Sequence, residues 1–148
     1  MMDSDDALKL ENQLCFPLYA ASREVIRAYT PLLEKLDLTY TQYITMMVLW
    51  EKRQVSVKEI GELLFLDSGT LTPLLKKLEA KGYLTRQRNK KDERSLMVAV
   101  TDRGLRLKGQ ARSIPKAMTA CFRLSPEEAQ TLYKLLYRLI GLARKDST

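Results

Sequence analysis

Apolar side chains recur at helical spacing along most of this chain, and a single stretch interrupts that period. Leu18, Ala21, Val25, Ala28 and Tyr29 repeat every three to four residues, the pattern of an amphipathic helix. Pro17 fits its first turn, where a missing N–H costs nothing. Pro31 is expected to end or bend this helix near Thr30. A short apolar piece, Leu32 to Leu36, follows. Thr39-Tyr-Thr-Gln42 reads as a capping box that opens a helix through Met46, Met47, Leu49 and Trp50. Ser56-Val-Lys-Glu59 reads as a second box, opening a short helix with Ile60, Leu63 and Leu64 inward. Asp67 is the expected N-cap of the next helix and Gly82 its stop.

Beyond Gly82 the period drops to two. Tyr83 to Arg88 alternates apolar and polar side chains, Ser95 to Val100 is β-branched and apolar, and the polar loop Asn89 to Arg94 joins them. That is the pattern of a β-hairpin. Thr101 is the expected cap of a long helix reaching about residue 120. Ser125-Pro-Glu-Glu128 is a third capping box, and the helix it opens sets Leu132, Leu135, Leu136, Leu139, Ile140 and Ala143 on one stripe. The predicted fold is mainly α with a small β-hairpin wing: a helix-turn-helix followed by a two-stranded wing, an arrangement that binds DNA. One domain of 148 residues is expected. Within it, residues 39–101 form the winged helix-turn-helix, and residues 1–37 and 102–148 supply mainly dimerisation helices.

Charge strengthens the DNA reading. The net charge is +7, yet residues 76–112 hold 12 basic and 4 acidic side chains, while residues 1–14 carry a net −3. A clustered basic segment is the footprint of a polyanion partner, although a solvated basic face gives the same count. The cluster begins inside the second helix of the helix-turn-helix and continues through the wing, so charge and element order agree. On the helix from about Ser68 to Lys81, Leu71, Leu74, Leu75 and Leu78 fall on one side and must face the core. Ser68, Thr70, Thr72, Lys76 and Lys77 lie on or beside the opposite face. Hydroxyls near the N-terminus suit bases or phosphates, and lysines suit phosphates. A plain solvated face is the competing reading for Lys76 and Lys77. Pro73 is expected to kink this helix or delay its start. In the wing, Arg86, Arg88, Lys90, Lys91 and Arg94 are the cations. A wing arginine suits a narrow minor groove, and Asp92 is expected to hold the Arg94 guanidinium in a fixed pose by a fork-like pair.

Composition mainly excludes. With no histidine there is no His-coordinated zinc and no Ser–His or Cys–His pair. Two cysteines build neither a four-cysteine zinc site nor a disulfide scaffold. No metal, no cofactor and no enzymatic role is therefore expected. Apolar runs fall far short of the ~20 residues that span a bilayer, and the acidic stretch Met1 to Leu10 lacks a signal core. A cytoplasmic protein without a membrane partner is expected.

The cysteines stand out against that background. Cys15 precedes Phe16-Pro17, at the start of the first predicted helix. The dipole and free amides of a helix N-terminus favour a thiolate, the form that attacks peroxides. A buried, inert residue is the commoner fate of a lone cysteine. Tyr19, Tyr29, Tyr40 and Tyr43 crowd the first third of the chain. Their hydroxyls can donate to a thiolate in place of the absent histidine, or each ring can simply be a core aromatic with a wet tip.

The runs Asn12-Gln-Leu-Cys-Phe-Pro-Leu-Tyr-Ala-Ala-Ser22, Leu38-Thr-Tyr-Thr-Gln-Tyr43 and Leu66-Asp-Ser-Gly-Thr-Leu-Thr-Pro-Leu-Leu-Lys-Lys-Leu-Glu79 resemble the MarR family. So do Asp92-Glu-Arg94 and the exit Thr101-Asp-Arg-Gly104. Within the family the match is to the organic-hydroperoxide-resistance regulators (OhrR type), and it covers nearly the whole chain. The resemblance implies a dimeric winged-helix repressor that binds a pseudo-palindromic operator and releases it on oxidation by organic hydroperoxides. It implies that Cys15 is the peroxidatic cysteine, supported by Tyr29 and Tyr40 of the other subunit and by Tyr19. Arg94 becomes the minor-groove residue, braced by Asp92. Cys121 lies where two-cysteine members carry a resolving cysteine, with a spectator role as the alternative. Three other functions compete. One is a MarR-type regulator released by a small aromatic ligand. The second is a thiol peroxidase, and the third a DNA-packaging protein without a sensor.

Overall fold

The computed structural model describes residues 3–145; the side chains of residues 143–145, Ala143 of the predicted stripe among them, lie outside the described residues. Two short 3-10 turns, Asp6–Leu8 and Leu10–Asn12, precede α1 (Cys15–Glu34). Pro17 sits in the first turn of α1 as expected, but Pro31 does not end the helix. The proline leaves the Arg27 carbonyl without its amide. The next turn holds because Leu33 and then Leu36 are buried, at 2% and 8% exposure.

The cap signals set the next boundaries. For α2 (Tyr40–Lys52) the Gln42 N–H donates to Thr39 Oγ1 at 3.3 Å, and the Thr39 N–H donates to Gln42 Oε1 at 3.1 Å. The helix buries Tyr43, Met46, Leu49 and Trp50, whereas Met47 is exposed. It ends at Arg53, whose φ of 65° breaks the helix and leads into β1 (Gln54–Ser56). For α3 (Val57–Leu64) only half of the expected box forms. Ser56 Oγ accepts from the Glu59 N–H at 3.1 Å, while the Glu59 carboxylate pairs with Lys52 at 3.3 Å. Ile60 is fully buried and Leu64 half-buried, but Leu63 stays exposed, against expectation. An eight-residue helix presents one narrow row to the core, and Leu63 falls off its edge.

Helix α4 (Ser68–Ala80) starts where Asp67 Oδ1 accepts the Thr70 N–H at 2.7 Å. Pro73 therefore does not delay its start. Leu71, Leu74, Leu75 and Leu78 are all buried, as the periodicity requires. Gly82 ends the run at φ 81°, with its N–H on Glu79 O at 2.9 Å and the Tyr83 N–H on Leu78 O at 3.1 Å. The hairpin strands are β2 (Leu84–Arg88) and β3 (Leu96–Val100), paired antiparallel with Arg86 opposite Val98. Strand β1 adds to the other side of β3, Val55 opposite Val98, giving the order β1-β3-β2. This third strand is absent from the sequence reading, since three residues are too few to show alternation.

The long helix expected after Thr101 is two helices, α5 (Asp102–Ala111) and α6 (Ile114–Phe122). Pro115 explains the break: its ring clashes with the carbonyl four residues back, and it disfavours helical geometry just before it. Thr101 Oγ1 accepts the Gly104 N–H at 3.1 Å and donates to Gly82 O at 2.6 Å. A Cβ on Gly104 would sit 2.3 Å from Tyr83 O, so this close approach requires glycine. The Gly104 carbonyl in turn accepts the buried Trp50 indole N–H at 2.8 Å, tying α2 to α5.

Residues 1–113 and 114–148 form two units. In the second, Ser125 and Glu128 make a full capping box, with bonds of 2.8 and 3.1 Å, at the start of α7 (Pro126–Lys145). Leu132, Leu135, Leu139 and Leu142 line α7 and are exposed, while Leu136 and Ile140 are half-buried. No helix among the described residues is long and apolar enough to cross a membrane.

Candidate functional site

Burial of the leucine row turns the other side of α4 outward. Ser68, Thr70, Thr72, Lys76 and Lys77 are all exposed. Thr72 Oγ1 donates to Ser68 O at 2.9 Å, which leaves its lone pairs free to accept. Hydrogen bonding from the Thr70 amide, first of all, holds the Asp67 carboxyl below the usual carboxylate range. The N-cap therefore stays ionised and keeps the start of α4 fixed.

The basic segment divides into two populations. Arg86 faces inward in a pair with Glu79. Its Nη2 and Nε donate to Glu79 Oε1 at 3.1 and 3.3 Å, and its backbone N–H donates to Oε2 at 2.9 Å. Those hydrogen bonds hold the Glu79 carboxyl below its usual range. With its side chain only 21% exposed, Arg86 clamps β2 to α4. This sets Arg86 apart from the other cations expected to meet DNA: an internal carboxylate holds its guanidinium. Lys81, at the end of α4, is also engaged, and Arg103 lies over the Tyr83 ring at 5.3 Å. Lys76, Lys77, Arg88, Lys90, Lys91 and Arg94 are exposed and, among the described residues, in no ion pair.

The wing tip is an ordered turn. The Asn89 N–H donates to Ser95 O at 2.8 Å, the Lys91 N–H to Asn89 Oδ1 at 3.0 Å, and the Arg94 N–H to Asp92 Oδ1 at 3.1 Å. Asp92 thus fixes Arg94 through its main chain; the expected fork with the guanidinium is not among the described ion pairs.

At the other end of the unit, Cys15 is the first residue of α1 and is exposed. No side chain caps this helix start. Just before it, the Gln13 side-chain amide donates to Ala7 O at 2.6 Å and to Lys9 O at 3.0 Å, folding the preceding segment on itself. Tyr19 lies one turn along α1 and is exposed. Tyr29 and Tyr40 meet with ring centroids 4.9 Å apart, and Tyr43 joins them at 5.8 and 6.4 Å. Tyr43, noted with the other tyrosines in the sequence but not among the residues that the family resemblance assigns to the sensor, belongs to the same cluster. Burial, first of all, pushes all three phenols above their ordinary pKa, so at neutral pH they are protonated donors. Cys15 and Tyr29 lie on one continuous helix, and fourteen residues of rise separate them by about 21 Å. Tyr29 and Cys15 of one chain therefore cannot meet; a contact between them requires two chains. Cys121 is exposed near the end of α6, in the second unit.

Comparison with known proteins gives one family and several close relatives. Residues 27–110 match the family model described as transcriptional regulator SarA/Rot. The chain is 47% identical over 140 residues to an organic hydroperoxide resistance transcriptional regulator of Bacillus subtilis, covering 95% of both chains. Among solved structures, it is similar to reduced AbfR bound to DNA, at TM-score 0.76 and 33% identity, covering 95% of this chain and 99% of that one. It is also similar to the disulfide form of AbfR, at TM-score 0.64 and 35% identity, covering 92% and 96%. AbfR is a protein of Staphylococcus epidermidis.

Proposed function

The chain belongs to the MarR-type winged-helix regulators, in the group of organic hydroperoxide resistance regulators, and from that membership we propose that it is a homodimeric, redox-sensing repressor of the cytoplasm. The observation that carries the reading is the exposed Cys15 at an uncapped helix start, on a chain 47% identical to an organic hydroperoxide resistance transcriptional regulator. Reduced protein holds operator DNA with the outward face of α4 in the major groove and the wing at the minor groove. Ser68, Thr70 and Thr72 face bases and nearby phosphates; Lys76, Lys77, Lys90 and Lys91 face phosphates; Arg94 enters the minor groove. Two copies present two such helices to half-sites roughly 34–36 Å apart, or a multiple of that.

The signal is a two-electron oxidation. The Cys15 thiolate attacks the terminal peroxide oxygen of an organic hydroperoxide, a sulfur–oxygen bond forms, and the oxygen–oxygen bond breaks. The alkoxide takes a proton and leaves as the alcohol; Cys15 is left as sulfenic acid. The Cys121 thiolate of the other subunit then attacks that sulfur; the sulfur–sulfur bond forms, the sulfur–oxygen bond breaks, and the departing hydroxide takes a proton from solvent to leave as water. Tyr29 and Tyr40 of the partner subunit, with Tyr19, donate to the thiolate before oxidation and lose that acceptor afterwards. The oxidised sulfur thereby favours a state that does not fit the operator. The event ends in release of DNA, so the protein is a regulator and not a turnover peroxidase.

The test is a gel shift on the protein's own promoter with cumene hydroperoxide and then a thiol reductant. Wild type should release the fragment and recover it, and Cys15→Ser should keep it bound throughout. A Cys15→Ser protein that still releases the DNA returns the reading to a ligand-driven regulator. Steady peroxide turnover with a thiol reductant would favour the peroxidase.

A further inference from the structure

Three candidates stand outside the site just described. The α7 leucine stripe belongs to the dimer already proposed. A cavity lined by Lys35, Arg103 and Arg106 carries charge but nothing that selects an occupant. The third candidate is Lys81, a cation of the basic segment that reaches across to the turn before α2.

Lys81 caps the C-terminus of α4, and its own N–H donates to Lys77 O at 3.1 Å. Its ammonium crosses to the turn between α1 and α2. There it donates to the Asp37 carbonyl, lies 3.3 Å from Asp37 Oδ2, and donates to Gln42 Oε1 at 3.4 Å. Two of these acceptors, the Asp37 carbonyl and Gln42 Oε1, are held in place, while the Asp37 carboxylate is 88% exposed. Asp37 sits in the left-handed region at φ 53°, and its N–H is held by Glu34 O at 3.0 Å. Gln42 is 5% exposed, and its same Oε1 accepts the Thr39 N–H that caps α2. Between Thr39 and Gln42 lies Tyr40, the first residue of α2, whose ring packs at a tilt of 50° against Tyr29. A short chain of bonds thus runs from the Tyr29–Tyr40 pair, through the capping box of α2, to the ammonium that ends α4. It spans a cleft of about 500 Å³ that Glu34, Thr39 and Lys77 also line. Lys77 is one of the exposed cations of the DNA face.

We propose that Lys81 is the positioning residue that couples the tyrosine end of the sensor to the DNA-reading helix. A shift of Tyr40 on oxidation turns the first turn of α2, moves the Gln42 carbonyl and the Asp37 turn, and through Lys81 re-aims the last turn of α4. The inference rests on the redox reading above. Lys81 is not among the residues proposed to meet the cysteine or DNA, and its described partners are Asp37 and Gln42. Its removal should therefore leave sensing and reduced-state binding in place and weaken only the link between them. Single residues along such a link change coupling by about two- to thirty-fold.

Two measurements test it. In reduced Lys81→Met, amide hydrogen exchange should quicken both in the first turn of α2 and in the last turn of α4. Faster exchange in α4 alone means there is no link. Then the ratio of operator Kd in the oxidised form to that in the reduced form is compared. Lys81→Met should oxidise Cys15 at the wild-type rate by mass spectrometry, yet show a ratio about two- to thirty-fold lower, with Lys81→Arg restoring it. Asp37→Asn keeps a residue that tolerates the left-handed turn and should fall between. A Lys81→Met ratio equal to wild type, or a loss that Lys81→Arg does not restore, overturns the coupling alone. A wild-type protein whose operator affinity ignores Cys15 oxidation overturns the redox reading, and the coupling with it.

Discussion

In α4, Leu71, Leu74, Leu75 and Leu78 are between 0% and 8% exposed, whereas in α7 Leu132, Leu135, Leu139 and Leu142 stay between 46% and 55% exposed. Both rows follow the same helical repeat, and both belong to helices opened by clear caps. The difference lies in what the rest of the chain offers. Around α4, the helices α2 and α3 and the strand β2 close over the row within one chain. In α7, described within its own unit, the row is exposed, and a contiguous exposed leucine-rich face marks an interaction surface. The α4 row is therefore a folding device, and we propose that the α7 row is an assembly device. Substitutions in the two helices should fail in different assays.

The largest effect belongs to α4. Leu78→Ala leaves a cavity at a fully buried site and should cost about 2–5 kcal/mol. Urea unfolding followed by circular dichroism checks it, and the loss should be present at every protein concentration. A cost under about 1 kcal/mol, the level of a surface substitution, would mean that the row is not the core it resembles.

The second effect belongs to α7. Leu135→Ala with Leu139→Ala should weaken the dimer by at least about tenfold in Kd, roughly 1.4 kcal/mol, in sedimentation velocity. Helical content should hold at high concentration, and unfolding should become concentration-dependent. An unchanged dimer constant, or loss of fold at all concentrations, would erase the contrast between the two helices.

The same contrast explains what the sequence could and could not disclose. Element order, the Thr39, Asp67 and Thr101 caps, the buried face of α4 and the hairpin were all legible, because each is set by neighbours within a few residues. Pro31 misled, since local proline chemistry was overruled by the burial of Leu33 and Leu36. Pro115 was passed over within an otherwise periodic stretch, and there local chemistry won. Strand β1 was too short to carry a pattern. At the site, the residue types and the outward face of α4 were readable, but the partition of the cations was not. Arg86 and Arg94 look alike in sequence; only the fold puts Glu79 against one and leaves the other exposed. The approach of Lys81 to Gln42 joins positions 39 residues apart, which no local pattern can reveal.

The smallest effect lies on the rim of the α4 packing, where Glu79 and Arg86 join the helix to β2 with 37% and 21% of their side chains exposed. Solvent and salt screen such a pair, so it adds far less than the leucines beneath it. Its sign is nevertheless fixed. The folded state holds the Glu79 carboxyl below its ordinary value, mainly through the Arg86 hydrogen bonds. The unfolded chain therefore takes up this proton first as pH falls. Stability from the pair is present above the ordinary glutamate value of about 4.3 and drains away as pH falls through the folded value. Urea midpoints of wild type and Glu79→Gln, compared from neutral to acid pH, should differ most at neutral pH and converge in acid, and high salt should shrink the neutral difference. A gap that ignores both pH and salt would mean that α4 and β2 are joined by apolar packing alone, and that Arg86 could then be counted again among the cations free to meet DNA.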